Sequence, residues 1–183
     1  NLTLSEGSAV NIAGESANEI DIKKADGRVD ITVEQCNTIT NTSEQALSIT
    51  GKILKIIDIL YADGRVEIEA DEIRYLKVNC GGALSVKSKK VDQVNVLDAD
   101  GRVDIISNSL NIISIRSDSA VNISCEDGEQ QVDVNADGRV DLKLAYAKQI
   151  EVDNDSSAVS IKAYKYTFEP IVKTTGRISI SKR

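Results

Sequence analysis

The hexapeptide Ala25-Asp26-Gly27-Arg28-Val29-Asp30 decides the fold, because it returns along the chain at a constant interval. Nearly the same six residues begin again at Ala62, Ala99 and Ala136, each time after 37 residues. A weaker fifth copy, Thr175-Gly176-Arg177-Ile178-Ser179, follows near the end of the sequence. Matching segments in constant phase indicate a repeat architecture, in which each unit contacts only its neighbours.

A second motif lies midway between these copies and divides the repeat into two similar halves. It reads Ala9-Val10-Asn11-Ile12, Ala46-Leu47-Ser48-Ile49, Ala83-Leu84-Ser85-Val86, Ala120-Val121-Asn122-Ile123 and Ala158-Val159-Ser160-Ile161. Together the two series recur every 18 or 19 residues, which makes the half-unit the elementary period. We interpret the chain as one domain, 1–183, with repeats at approximately 1–37, 38–74, 75–111, 112–148 and 149–183.

Each half contains short segments in which apolar and polar residues alternate, such as Ile20-Asp21-Ile22 and Val29-Asp30-Ile31. Alternation with β-branched residues is typical of half-buried strands, and no helical periodicity is sustained. The sequence therefore predicts an all-β fold, a single-stranded parallel β-helix (β-solenoid). It would have about ten coils of 18–19 residues and a length of roughly 45–50 Å at the usual strand spacing. A five-bladed propeller or a sandwich is the alternative. We expect the glycine of each Asp-Gly turn to supply a positive φ.

Composition excludes several functions. The 183 residues include no His, so a Ser-His-Asp triad, a Cys-His dyad and a His-ligated zinc site are ruled out. A net charge of −7 has the wrong sign for a nucleic-acid partner, and no apolar stretch is long enough for membrane insertion. Aromatic residues make up only 3% of the chain, as a narrow aliphatic interior would require. The start at Asn1 without a Met predicts an excised or processed piece.

The repeat places one charged column on the outside of the predicted coils. Arginines stand on alternate coils, and an acid lies two residues after four of them. The candidate binding face comprises Arg28, Arg65, Arg102, Arg139, Arg177, Asp30, Glu67, Asp104 and Asp141. This surface, with charges at a regular interval, would bind a repetitive or extended partner. Alternatively, it would only keep the protein soluble and fix the register of the stacked coils.

Two other sets of residues are candidate sites. Asp133-Val134-Asn135-Ala136-Asp137-Gly138 matches the opening of a calcium loop, but Leu144 stands where its twelfth position requires an acid. We therefore predict no metal, no cofactor and no catalytic residue. Tyr164, Tyr166, Phe168 and Pro170 lie in the irregular segment 163–175, which would form a cap over the last coil or a binding patch.

Three cysteines, Cys36, Cys80 and Cys125, cannot all pair within one chain and lack metal-binding spacing. We expect free thiols that fill small spaces. The first coil, Leu2-Thr3-Leu4, has no evident cap, which predicts either an upstream segment or a homo-oligomeric contact through the terminal coils.

The turn-and-strand pattern resembles the bacterial head-GIN domains of the auto-transporter adhesin type. The resemblance rests on stretches such as 76–86 and 94–105, and on Tyr164 to Val172 followed by Gly176-Arg177-Ile178. A second, shorter stretch, Ile20 to Gly27, is similar to a coil of the C-terminal β-helix of cyclase-associated proteins, which bind actin monomers.

These observations favour a non-enzymatic structural or adhesive module that presents a flat polar face to an extended protein or polysaccharide partner. The first resemblance implies a bacterial cell surface, and an extracellular or periplasmic location is favoured over a cytoplasmic one. The alternative is a cytosolic module that binds actin monomers. A polysaccharide-active β-helix enzyme is a distant third, because coils of this length leave no room for the long loops that wall an active site.

Overall fold

A computed structural model describes residues 1–4, 9–155 and 157–182, which form strands and turns with no helix among them. The strands are β1 (Leu2–Leu4), β2 (Val10–Ile22), β3 (Val29–Asn41), β4 (Leu47–Ile59), β5 (Val66–Cys80), β6 (Leu84–Ala99), β7 (Val103–Ser117), β8 (Val121–Asp127), β9 (Glu129–Ala136), β10 (Val140–Asp153), β11 (Val159–Tyr166), β12 (Ile171–Lys173) and β13 (Ile178–Lys182). All belong to one sheet, and their pairings are parallel. The predicted all-β parallel solenoid is confirmed.

The sheet is a stack of rungs whose register follows the predicted half-unit. Val10 pairs with Val29, Val29 with Leu47, and Leu47 with Val66, and the same shift continues to Ile178. We call the face of the solenoid on which these residues lie wall one. Its rungs start at Val10, Val29, Leu47, Val66, Leu84, Val103, Val121, Val140, Val159 and Ile178. Ten rungs are separated by nine steps, which gives a solenoid of about nine turns.

Each long strand bends around the solenoid instead of running straight. The pairing of β2 with β3 skips the positions of Glu34 and Asn37, and the neighbouring Gln35 is also exposed. At such a point two successive side chains point outward, which interrupts the alternation of buried and exposed residues. The chain turns a corner there, and the alternation resumes after it. The corner at Glu34 divides wall one from a short wall two around Cys36, and the corner at Asn37 divides wall two from wall three, which contains Ile39.

The interior is filled by aliphatic residues stacked from rung to rung. On wall one, Val29, Leu47, Val66 and Leu84 form one such column, each of them almost completely buried. The buried core contains none of the chain's tyrosines and not its one phenylalanine. Burying a side chain of this size contributes about 1.5–3 kcal/mol, and the benefit repeats at every rung.

The repeated Asp-Gly turns use glycine in an unexpected way. Among the described residues only Gly128 has a positive φ, at 96°, and it lies outside the repeated motif. The predicted positive φ in the Asp-Gly turns is therefore wrong. Space is the actual reason: a Cβ on Gly101 would lie 2.6 Å from the backbone nitrogen of Ala83, and one on Gly138 would lie 2.5 Å from that of Ala120. The turns stack so closely that a side chain does not fit.

A buried asparagine holds the turns of three consecutive rungs together near the C-terminal end. The side chain of Asn154 donates hydrogen bonds to the carbonyl oxygens of Ala136 and Gly138, both at 2.6 Å. Its own oxygen accepts from the backbone N–H of Ser157 at 2.8 Å and from the Thr174 hydroxyl at 3.2 Å. Asn154 thus satisfies backbone groups that the turn leaves without partners.

Candidate functional site

Wall one carries the predicted charged column, and its arginines are paired within their own rung. The Nε atom of Arg28 lies 2.8 Å from Asp30 Oδ1, and that of Arg65 lies 3.0 Å from Glu67 Oε1. The same contact recurs at 2.8 Å between Arg102 and Asp104, and at 2.7 Å between Arg139 and Asp141. Residues two apart on a strand share a face, so the repeated Arg-x-acid sequence forms each pair locally.

The pairs are also connected across rungs. An Arg28 Nη2 atom lies 3.7 Å from Glu67 Oε2, although the rung of Ala46 and Ser48 stands between them. Farther along, the Asn122 amide donates to Asp104 Oδ1 at 3.3 Å. The hydrogen bond and the charge of Asp30 raise the pKa of Arg28. The wall is thus a regular array of ion pairs separated by rungs with small side chains.

The fifth arginine differs from the other four. Arg177 precedes β13, where Ser179 occupies the position of the acid, and no ion pair involves Arg177 among the described residues. The sequence indicates this departure, since the fifth copy of the motif reads Gly176-Arg177-Ile178-Ser179.

These ion pairs lie at the surface and stabilise the fold little. The arginine side chains are 55–65% exposed, and pairs of this kind usually contribute about 0–1 kcal/mol. A shallow groove of about 190 Å³ crosses the wall beside Arg65, Glu67 and Ser85. A partner could therefore exchange these intramolecular contacts for its own at small cost.

The aromatic segment lies within the wall of the solenoid. Tyr164 and Tyr166 belong to β11, and the ring of Tyr166 packs partly against the core, with Lys182 Nζ 5.0 Å from its centroid. Phe168 is exposed and Pro170 is half-buried, just before β12 returns to pair with β10.

The chain then continues beyond this segment to form a further rung. This rung is β13, whose Ile178 and Ile180 are 46% and 40% exposed. The segment 163–175 therefore does not cover the last rung as a cap would; the patch interpretation of its aromatic residues stays a prediction.

The calcium-like sequence forms a strand and the turn after it, not an ion-binding loop. Asp133 and Asn135 point outward from β9, which runs to Ala136. Burial, followed by the charge of Glu151, raises the pKa of Asp133 above its usual range. The described part of the chain contains no group of three or more Cys, Asp or Glu side chains placed to hold a metal ion. No helix among these residues is long and apolar enough to span a membrane.

The three cysteines lie in three different columns of the coil, each at or near a bend. All are free and buried, and each thiol donates to the carbonyl oxygen two residues later: Cys36 to Thr38 at 3.2 Å, Cys80 to Gly82 at 3.4 Å and Cys125 to Asp127 at 2.9 Å. Ser107 makes the same bond to Ser109 at 2.8 Å. Burial raises the pKa of the Cys80 thiol to about 11, which keeps it protonated and unreactive.

Sequence reasoning missed an irregular corner between β8 and β9. Ser124 pairs with Lys143, and Glu129 pairs with Tyr146, so this coil has two more residues at its corner than the next one. Gly128 supplies the positive φ there, and the buried Gln130 amide donates to the Leu110 carbonyl oxygen at 3.2 Å. The dipeptide Asp127-Gly128, out of phase with the repeated Asp-Gly turns, was the signal that could have revealed this bulge.

The fold and the surface define a parallel β-solenoid with one polar wall on which ion pairs recur on every second rung. No protein-family model, no curated protein and no solved structure matches this chain.

Proposed function

We propose that this protein is a non-enzymatic structural or adhesive module in which wall one presents a flat polar surface to an extended partner. The observation that carries the proposal is the repetition of the pair between Arg28 and Asp30 on every second rung up to Arg139 and Asp141. Two rungs span about 9.6 Å, so the pairs repeat at that interval along the wall. A partner with its own repeat along one direction can make the same contact several times.

The proposal of a non-enzymatic role is supported by the short connections between strands. The connection from β2 to β3 is residues 23–28, and the one from β10 to β11 is residues 154–158. Binding and catalytic residues of enzymes are usually placed on longer loops that exclude water from a pocket. The grooves on wall one are shallow and open, and they suit surface contact with a long molecule.

The proposed location at a bacterial cell surface rests on the resemblance to head-GIN domains. As part of the same proposal, copies of this chain associate through their terminal rungs, because β13 offers an unpaired strand edge with exposed Ile178 and Ile180. Light scattering of the purified chain over a range of concentrations tests this part, and a monomer throughout would contradict it.

The test of the main proposal uses a variant of wall one that keeps the fold. Arg28, Arg65, Arg102 and Arg139 are each replaced by Ala, the residue that occupies the same column on the intervening rungs. Circular dichroism verifies the fold, and binding to a panel of polysaccharides and fibrous proteins is measured by co-sedimentation. We expect one polymer class to bind the natural chain and to lose affinity for the variant. Equal binding by both proteins, or tight binding of monomeric actin, would contradict the proposal.

A further inference from the structure

One end of wall one carries positive charge that the rest of the wall does not. Over the last five rungs the outward cations outnumber the acids five to two, whereas the first five rungs have three of each. The cations of the last five are Arg102, Arg139, Lys143, Lys162 and Arg177, and the acids are Asp104 and Asp141. This local excess is unexpected in a chain with a net charge of −7.

Two of these cations are neighbours in the stack. Lys143 on β10 pairs directly with Lys162 on β11, and neither makes an ion pair among the described residues. Like charges opposite each other on adjacent strands are destabilising. In the same column of the first half, Glu69 pairs with Lys87 on the adjacent rung, so opposite charges face each other. The fold therefore tolerates at Lys143 and Lys162 a repulsion that it avoids elsewhere on the wall.

Exposed tyrosines stand around the adjoining corner. Tyr146 and Tyr164 are 51% and 52% exposed, and Tyr146 pairs in register with Lys165 of the next rung. With Tyr166 and Phe168, four of the six aromatic residues of the chain lie in this part of the solenoid. We call Lys143, Tyr146, Lys162, Tyr164 and Lys165 the basic–aromatic corner.

The corner opens onto a groove and has defined limits. On wall one the groove has a volume of about 380 Å³ and is lined by cations, by the polar side chains of Asn122 and Ser160, and by Asp141, whose charge is paired with Arg139. The cations are Arg102, Arg139, Lys143 and Lys162. On the side of the preceding rung, the acidic bulge at residues 126–129 ends the positive surface. The surface is thus a short strip that combines cations, hydroxyl or amide groups and aromatic rings.

We infer that the basic–aromatic corner binds an acidic polysaccharide, one that carries carboxylate or sulfate groups along its chain. This inference rests on the proposed function and names the partner. Lysine ammonium groups bind such anions through charge-assisted hydrogen bonds, and a bound anion between Lys143 and Lys162 relieves their repulsion. Tyrosine offers an apolar ring face for the sugar ring and a hydroxyl group for hydrogen bonding.

The experiment compares two variants that remove the same charge. Lys143→Ser/Lys162→Ser acts in the corner, where Ser124 and Ser181 already occupy the same column, and Lys87→Ser/Lys89→Ser acts on an earlier rung. Calorimetry measures the binding of alginate, chondroitin sulfate, neutral dextran and poly-glutamate to the full chain. We expect the corner variant to weaken alginate or chondroitin sulfate binding by about tenfold, and the control variant by less than about twofold. Tyr146→Ala should also weaken it.

The outcomes separate this inference from the proposed function. If dextran binds and the corner variant has no effect, the corner inference is wrong, while a module with an extended partner remains supported. If poly-glutamate binds as tightly as the acidic polysaccharides, charge alone is recognised and the polysaccharide assignment is overturned. If both lysine variants weaken binding equally, net charge is responsible and the corner is not the site. If none of the polymers binds, the corner inference fails, and the co-sedimentation with fibrous proteins decides whether the proposed function fails with it.

Discussion

Substitution of Gly101 by alanine tests whether close stacking, and not backbone conformation, requires glycine in the repeated turn. The added Cβ would lie 2.6 Å from the backbone nitrogen of Ala83, 2.7 Å from the carbonyl carbon of Gly82 and 2.8 Å from the Cα of Ala83. All three contacts are with backbone atoms. No side chain can rotate away, so the two turns must move apart and strain the rungs on either side.

The expected cost follows from two opposing effects. Inserting a methyl group into a tightly packed site usually costs about 1–3 kcal/mol, and rigid backbone neighbours place this case in the upper part of that range. Alanine also restricts the unfolded chain, which returns about 0.4–1 kcal/mol. The net loss should be about 2 kcal/mol, equivalent to a decrease in Tm of about 4–8 °C for a chain of this size.

Thermal and urea unfolding followed by circular dichroism measure the effect, and Gly14→Ala is the matched control. Gly14 also lies in a parallel rung, but an added Cβ there has nothing within 4 Å. We expect Gly14→Ala to be neutral or slightly stabilising. The reasoning is refuted if Gly101→Ala unfolds at the same temperature as the natural chain, or if both substitutions destabilise it equally.

Three further predictions concern stability. Asn154→Ala should lower the free energy of unfolding by about 2–4 kcal/mol, since two buried turn carbonyls lose their donor; a change below about 0.5 kcal/mol in urea unfolding would contradict this. The pKa of the Cys80 thiol is higher in the folded chain than its ordinary value, so the folded state favours the protonated thiol. The stability that this thiol contributes should be fully present below about pH 9 and lost as the pH rises towards 11. Cys80→Ser should remove that part of the pH dependence, and an unchanged slope would refute it. A double-mutant cycle of Arg102→Ala with Asp104→Ala should give a coupling below about 1 kcal/mol that decreases with salt; a larger, salt-independent value would show that the exposed pair is a strong contact.

The rung register could be predicted from the sequence because every coil repeats the same inward positions. The motif that contains Val29 and the one that contains Leu47 recur 18 or 19 residues apart, and these residues pair directly in the sheet. A parallel stack has no other way to bury the same column at each step. The local pairing of Arg28 with Asp30 follows equally from strand geometry, because residues two apart face the same side.

Features that depend on three-dimensional proximity could not be predicted in the same way. An Asp-Gly dipeptide ordinarily indicates a turn that needs a positive φ, whereas the requirement at Gly101 comes from a turn one rung away. The bulged corner between β8 and β9, where two extra residues precede Glu129, departs from the repeat, so no other copy of the motif predicts it. The family resemblances, and the functions they imply, stay predictions.

The alternation of arginine and alanine rungs has a consequence for how such a protein can change its length. Loss of an alanine rung, or gain of an arginine rung, would bring two arginines onto adjacent rungs about 4.8 Å apart. Loss of an arginine rung would instead place two alanine rungs together and interrupt the regular interval of the charges. Loss or gain of two rungs preserves the alternation and every neighbouring contact. We therefore expect duplications and deletions to be tolerated best as whole 37-residue units, so that the length of the solenoid changes in increments of about 9.6 Å.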